Sequence, residues 1–89
     1  MPQQDMLWLQ LSWQDLSLIQ LYQILQLRQK IFIVEQNCPY LDADDNDQIA
    51  YHITAYSQDT LVAFTRIFAP NTLRSQCVIG RVIVSPDHR

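Results

Sequence analysis

Two strand-like segments that are apolar on both faces limit the fold of this chain more than any other feature of its sequence. In residues 61–68 (LVAFTRIF) and 77–84 (CVIGRVIV), apolar side chains occupy both sets of alternating positions. Strands of this kind belong to sheets that are covered on both faces. The sequence predicts one long helix, which can cover one face. We therefore expect either the front part of a larger α/β domain or a sheet whose second face is covered by another copy of the chain.

Two further strands and the helix complete the predicted architecture. Residues 7–13 (LWLQLSW) alternate between apolar and mixed positions, and residues 50–56 form the next strand along the chain. Between them, Ser17 and Gln20 fit a capping box, and the apolar spacing that follows predicts a helix over residues 18–31. The expected fold class is α/β (α+β), with a mixed, mostly antiparallel sheet of about four strands and one long helix on one face.

Length, charge and cysteine content restrict the class of protein. The 89 residues predict a single domain, and a net charge of −3 with dispersed basic residues argues against nucleic-acid or membrane-surface partners. The N-terminus lacks the basic region of a signal peptide, and the apolar run at residues 31–34 is far too short to span a membrane. Cys38 and Cys77 are interpreted as reduced thiols that pack inside the protein, which predicts a cytoplasmic location.

Glu35 and His52 are the candidates for acid–base chemistry. Glu35 is the only glutamate in the sequence and follows an apolar run, so it could act as a base or anchor an amine. Alternatively, it could pair with Arg28 or cap a turn. His52 could serve as a base near neutral pH, or it could hydrogen-bond the acidic loop that precedes it, through its aspartates at positions 44 or 47.

Arg66 and Arg81 are charged residues inside otherwise apolar strands. A buried arginine is rarely tolerated without a partner. Each could therefore hold an acidic group of a substrate in a pocket, or pair with an aspartate inside the protein. The residues alone leave both alternatives open.

The acidic loop, residues 41–48 (LDADDNDQ), partly fits a calcium-binding pattern. Asp42, Asp44 and Asn46 match the first three liganding positions of an EF-hand loop. The pattern then fails, because Asp47 stands where glycine is required and Ile53 where glutamate is required. A divalent-metal-binding domain organised by this loop is kept as an alternative function, although we expect no metal ligands.

Several segments resemble, in order, the ElaA-like branch of the GNAT N-acetyltransferase superfamily. Residues 28–40 (RQKIFIVEQNCPY) are similar to its R-x-x-V-F-V-V-E-Q-x-C-x-Y signature, and the spacing of the aspartates at 42, 44 and 47 from His52 also matches. Residues 61–67 (LVAFTRI) and 79–82 (IGRV) resemble two of its strands. Residues 82–89 (VIVSPDHR) resemble the strand that leads into the acetyl-CoA pyrophosphate loop of the superfamily.

The resemblance implies the N-terminal part of an acetyltransferase that moves an acetyl group from acetyl-CoA to a primary amine, on a small molecule or a peptide, by direct attack. It also implies that the main chain of Val82, Ile83 and Val84 contacts the pantetheine arm and the thioester carbonyl, and that Arg89 begins the pyrophosphate loop. Since the glycines of that loop and the following helix are not among these residues, we expect the 89-residue chain to be inactive alone and to bind acetyl-CoA poorly.

A non-catalytic interaction module is the main competing function. An apolar sheet face without cover and an apolar edge strand promote association with another molecule. We therefore expect the chain as given to form a homo-oligomer through the uncovered face or edge of its sheet.

Overall fold

The computed structural model describes residues 6–88, in which four strands form one sheet. The strands lie side by side in chain order: β1 (Met6–Ser12), β2 (Tyr51–Ser57), β3 (Thr60–Phe68) and β4 (Val78–Val84). The predicted sheet of about four strands beside one helix is confirmed. Its three strand pairings are all antiparallel, so the sheet of the described residues is not mixed.

The helix α1 (Leu18–Arg28) begins at the predicted capping box. The Ser17 amide donates to Oε1 of Gln20 at 2.8 Å, and the Gln20 amide donates to Oγ of Ser17 at 3.1 Å. These two bonds satisfy amides that the first helical turn leaves without partners. After α1 the chain continues as a π-helical segment (Gln29–Glu35), so the helical course runs past the predicted end at residue 31 with a wider turn.

One face of the sheet and α1 enclose the hydrophobic core. The core combines helical residues with alternate residues of the strands: Ile24, Leu27, Ile31, Tyr56, Leu61, Phe64 and Ile83. The strand register places Leu9, Thr54, Phe64 and Ile83 in one row across the sheet. Because residues paired across neighbouring strands share a face, this row marks the side of the sheet that faces α1.

The opposite face, which we call the open face, carries apolar side chains that remain accessible. Trp8 and Ile79 are each 63% exposed and Val82 is 66% exposed. Ile53 and Ile67 on the same face are half-buried. The apolar character that the sequence showed on both strand faces therefore corresponds to one packed face and one accessible face in the described residues.

Both cysteines lie on the surface, so the prediction that they pack inside the protein is wrong. Cys38 follows the π-helical segment, and Cys77 immediately precedes β4. Connecting segments run over the surface of a fold, where a small side chain stays accessible. Within residues 6–88, the helices are too short or too polar to cross a bilayer.

Candidate functional site

Six charged side chains form a closed ring that joins the end of α1, the acidic loop, β3 and β4. In order around this charged ring, arginines and aspartates alternate: Arg28, Asp42, Arg81, Asp44, Arg66 and Asp47. The six successive nitrogen–oxygen distances are 2.8, 2.9, 3.4, 2.7, 2.9 and 2.7 Å, and the last returns to the first arginine. Each guanidinium thus lies between two carboxylates, and the formal charges of the ring cancel.

Burial explains why the acidic loop closes over the arginines. Arg28 is fully buried, and Asp42, Asp47 and Arg66 are each buried as well. Nη2 of Arg28 also donates to the backbone carbonyl of Asp42 at 2.8 Å. Removing a charge from water is costly unless an opposite charge and hydrogen bonds compensate for the lost hydration. The loop supplies that compensation from both its side chains and its backbone, which fixes its position on the sheet.

Asp44 and Arg66 form the two-pronged contact of the ring. Nη1 of Arg66 donates to Oδ1 of Asp44 at 2.7 Å, and Nη2 donates to Oδ2 at 2.9 Å. The hydrogen bonds from Arg66 lower the pKa of Asp44 to about 2. The guanidinium of Arg66 also lies 5.0 Å from the centre of the Phe68 ring. Of the two partners that the sequence left open for Arg66, the structure shows an aspartate within the protein.

His52 is a fully buried neighbour of the charged ring. Its Nε2 lies 2.9 Å from the backbone carbonyl of Asp47, which makes this nitrogen the donor in the neutral imidazole. Burial lowers the pKa of His52. The His52 imidazole stacks on the Phe64 ring, with centroids 5.8 Å apart. Of the two alternatives from the sequence, the structure shows the contact with the acidic loop.

Arg81 occupies a β-bulge in β4. Between Phe64 and Arg66 on β3 lies one residue, whereas between their partners Ile83 and Gly80 lie two. Arg81 is the extra residue and has a φ of 53°, in the left-handed region that favours glycine. The single glycine of the sequence, Gly80, stands next to this position and has no positive φ.

Contacts with the acidic loop and two aromatic rings hold the Arg81 side chain. Nε donates to Oδ1 of Asp42 at 2.9 Å, and Nη2 donates to the Asp42 carbonyl at 3.2 Å. The guanidinium lies 5.9 Å from the ring centres of Phe32 and Tyr40. Arg81, like Arg66, pairs internally with aspartate.

The charged ring also accounts for the carboxylates that suggested a calcium loop. Asp42, Asp44 and Asp47 all bind arginine. In residues 6–88, no three side chains of the metal-binding types histidine, cysteine, aspartate and glutamate are arranged to hold an ion. A cation in the acidic loop would have to displace buried guanidinium groups, so the contacts of this loop do not support the metal-binding alternative.

Comparison with known proteins finds relatives by sequence and by structure. No protein-family model matches the chain. ElaA of Escherichia coli strain K12 is 48% identical over 80 residues, which make up 88% of this chain and 52% of that protein. A UPF0039 protein of Synechocystis sp. is 42% identical over 78 residues, covering 83% of this chain and 51% of its own.

Two solved structures superpose closely. The crystal structure of an acyl-CoA N-acyltransferase from Pseudomonas aeruginosa has a TM-score of 0.91 and 38% identity, over 96% of this chain and 60% of that one. The crystal structure of Escherichia coli ElaA has a TM-score of 0.89 and 45% identity, over 96% and 59%. The chain has the N-terminal portion of an ElaA-like GNAT fold. It spans about half the length of the curated relatives that it matches.

The ElaA-like resemblance assigned cofactor contacts to residues that the structure places at the end of β4. Ile83 points into the core, whereas Val82 and Val84 lie on the open face. This stretch belongs to the last strand of the described sheet and directly follows the bulge at Arg81. Arg89, which the resemblance assigned to the pyrophosphate loop, lies outside the described residues.

Glu35 and the cleft beside α1 are two separate features of the surface. Glu35 ends the π-helical segment and is exposed, and it is not a member of the charged ring. The cleft has a volume of about 400 Å³ and lies between α1, the start of β3 and the residues that follow β4. Its charged and hydroxyl lining includes Lys30, Asp59, Ser85 and Asp87. The cleft therefore opens beside the stretch to which the resemblance assigned the cofactor.

Sequence analysis missed the charged ring of this ElaA-like portion because its members were considered one at a time. Arg28 was weighed as a partner of Glu35, and Arg66 and Arg81 were each weighed separately as the partner of an unspecified aspartate. A combined signal was available in the sequence: three arginines lie in apolar segments, and the loop at residues 41–48 carries four aspartates. Charges in apolar segments need partners of opposite sign, which predicts pairing between the arginines and this loop.

Proposed function

We propose that residues 1–89 are the N-terminal part of a single acyltransferase domain that moves an acetyl group from acetyl-CoA to a primary amine. The observation that carries this proposal is the superposition of 96% of the chain on an acyl-CoA N-acyltransferase at 38% identity. Identity at this level supports the same class of chemistry as well as the same fold. Acetyl-CoA as the donor, and an amine on a small molecule or peptide as the acceptor, are the specific parts of the proposal.

The edge strand β4 suits the donor in this proposal. The main chain of Val82, Ile83 and Val84 would pair with the amides of the pantetheine arm, and an amide of this stretch would polarise the thioester carbonyl as negative charge develops there. These residue types fit the role, since valine and isoleucine favour extended backbone and the contacts use main-chain atoms. This argument concerns only the pantetheine arm of the cofactor, since the pyrophosphate loop would begin at Arg89, beyond the described residues.

Direct attack requires a group that removes a proton from the amine. The amine nitrogen bonds to the carbonyl carbon, the carbon–sulfur bond breaks, and the amine proton passes to a base while the thiolate takes up a proton. Glu35 is the better candidate for the base or the amine anchor, since it is exposed. His52 is the weaker candidate, since its side chain is fully buried and contacts the acidic loop. In this proposal Arg66 and Arg81 do not contact the substrate, and they hold the acidic loop on the sheet through its aspartates.

Titration of the 89-residue chain with S-acetylpantetheine, followed by amide NMR shifts, tests the pantetheine contact. We expect weak binding with shifts concentrated at Val82, Ile83 and Val84, and no greater affinity for acetyl-CoA, because the chain lacks the rest of the pyrophosphate loop. Adenosine 3′,5′-bisphosphate, which lacks the pantetheine arm, serves as the control and should leave these amides unchanged. Shifts elsewhere, or none at millimolar ligand, would contradict the proposed contact. Micromolar binding of acetyl-CoA in calorimetry would contradict the expected weakness.

Self-association is the second candidate function, and the open face favours it. Trp8, Ile79 and Val82 expose apolar surface on that face, and such patches mark sites where another molecule binds. A cytoplasmic location and the absence of nucleic-acid or membrane partners remain predictions from charge and composition.

A further inference from the structure

We propose that Arg81 is a positioning residue: its contacts with Asp42 hold the β-bulge of β4 and thereby set which backbone groups of Val82, Ile83 and Val84 lie at the outer edge of the sheet. The link to cofactor binding rests on the proposed function. The claim about the bulge rests on the strand geometry alone.

The backbone of Arg81 needs an external restraint. Its φ of 53° brings the Cβ of an L-residue close to its own carbonyl oxygen, which is why glycine is favoured there. Gly80 would be the natural occupant of a left-handed position, yet it lies one residue earlier and has ordinary geometry. An arginine at this position is therefore explained by its side chain, which must contribute more than the backbone conformation costs.

The side-chain contacts of Arg81 supply that restraint. Its Nε and Nη2 reach a carboxylate oxygen and the carbonyl of Asp42 at 2.9 and 3.2 Å. Asp42 is itself fixed, because its second oxygen lies 2.8 Å from Nε of the fully buried Arg28. The bulge is thereby tied through the acidic loop to the end of α1.

The bulge decides how the rest of β4 is presented. One inserted residue shifts the register by one, which exchanges the two faces and the two edges of the strand for every residue beyond it. With the bulge, Ile83 lies opposite Phe64 and faces the core. Without it, Ile83 would turn to the open face, and the amides and carbonyls now at the outer edge would turn toward β3. A cofactor that binds these groups would then meet the wrong ones.

A matched pair of variants, Arg81→Gly and Arg81→Ala, separates the bulge from the charged ring. Both remove the guanidinium and break the ring equally, but only glycine takes a positive φ without a Cβ penalty. The first measurement is the cross-strand nuclear Overhauser pattern between β3 and β4 in the full 89-residue chain. We expect Arg81→Gly to keep Ile83 opposite Phe64, and Arg81→Ala to lose that register or to unfold. Arg81→Lys keeps a donor for Asp42 and should therefore keep the wild-type register.

The second measurement is the S-acetylpantetheine titration of the same proteins. Arg81→Gly should bind like the wild type, and Arg81→Ala should bind roughly tenfold more weakly, because its edge groups are misplaced. The proposal is overturned if Arg81→Ala keeps the register, since the bulge then does not need the contacts of Arg81 with Asp42. Loss of the register in both variants would mean that these contacts hold the bulge even where the backbone is unstrained. If the wild type fails to bind S-acetylpantetheine, the proposed function fails, while the register measurement still decides the role of Arg81.

Discussion

Oδ1 of Asp42 accepts a hydrogen bond from Nε of Arg81 at 2.9 Å, across 39 positions of sequence. The other oxygen of the same carboxylate lies 2.8 Å from Nε of Arg28. One buried carboxylate therefore connects the last residue of α1 with the bulge of β4. The acidic loop that carries it is thus a structural link between the helix and the strand proposed to bind the cofactor.

Removing one guanidinium should destabilise the protein by more than the complete charged ring stabilises it, because the remaining carboxylates are left buried without their partner. Arg28→Met leaves Asp42 and Asp47 without their buried partner, and the expected loss in the free energy of unfolding is about 3–5 kcal/mol. Urea denaturation followed by circular dichroism measures this loss. Lys30→Met is the matched control, since Lys30 is exposed two residues further on and its loss should stay below about 0.5 kcal/mol. Equal losses in the two variants would show that the ring has no special weight.

Acid should weaken the two-pronged contact of Asp44. Its pKa in the folded protein is about 2, below the 3.8 of the free side chain, so its stabilising effect is complete above pH 3.8 and is lost as the pH falls toward 2. The expected loss is about 1–2 kcal/mol, once solvent screening of a side chain that is 28% exposed is allowed for. Thermal melts between pH 5 and 2, by roughly half-unit steps, measure it.

Two asparagine variants of the acidic loop test the origin of that acid sensitivity. Asp44→Asn should be less stable at neutral pH and should lose less on acidification than the wild type. Asp45→Asn should keep the wild-type acid transition, since Asp45 is exposed in the same loop and asparagine tolerates its positive φ of 67°. If Asp44→Asn and the wild type respond equally to acid, the Arg66 contact is not the cause.

His52 should produce a separate loss of stability at milder pH. Burial lowers its pKa in the folded protein below the usual 6.5, so the unfolded chain binds the proton more readily. The stabilising effect is therefore complete above pH 6.5 and declines as the pH falls below it, with a slope of at most about 1.4 kcal/mol per pH unit. His52→Gln should flatten the stability curve between roughly pH 6.5 and 5. A flat wild-type curve in this range would contradict the prediction.

Sequence reasoning succeeded where the signal is local. Apolar alternation and short apolar runs located the strands within one or two residues, and Ser17 with Gln20 marked the start of α1, because these patterns depend on near neighbours. The charged ring depends instead on side chains 14 to 39 positions apart, which no local period reveals.

Two further features were hidden by conflicting local signals. The π-helical segment has the same apolar residues that an α-helix would have, so the apolar pattern does not distinguish the two. The bulge occurs at Arg81 although a glycine stands beside it, so the position of the glycine does not locate the positive φ.

Gly80 should consequently tolerate a side chain, unlike most glycines next to a bulge. A Cβ placed on Gly80 meets no atom within 4 Å, and its φ is not positive. Gly80→Ala also reduces the entropy of the unfolded chain, so we expect a change between zero and about 1 kcal/mol of added stability. Arg81→Ala should destabilise the protein in the same thermal melts. A clear loss of stability in Gly80→Ala would place the strained position at residue 80 rather than 81.

The open face should drive self-association of the 89-residue chain. Ile79 is 63% exposed on this face, beside the exposed Val82 on the edge strand, and burying such surface against a second copy is favourable. Sedimentation equilibrium should show a dimer or larger species for the wild type, and a monomer for Ile79→Lys, in which a charge opposes burial. Val34→Lys is the control, because Val34 is 74% exposed but lies on the π-helical segment, and this variant should still associate. A monomeric wild type at high micromolar concentration, or an associated Ile79→Lys, would contradict self-association through the open face.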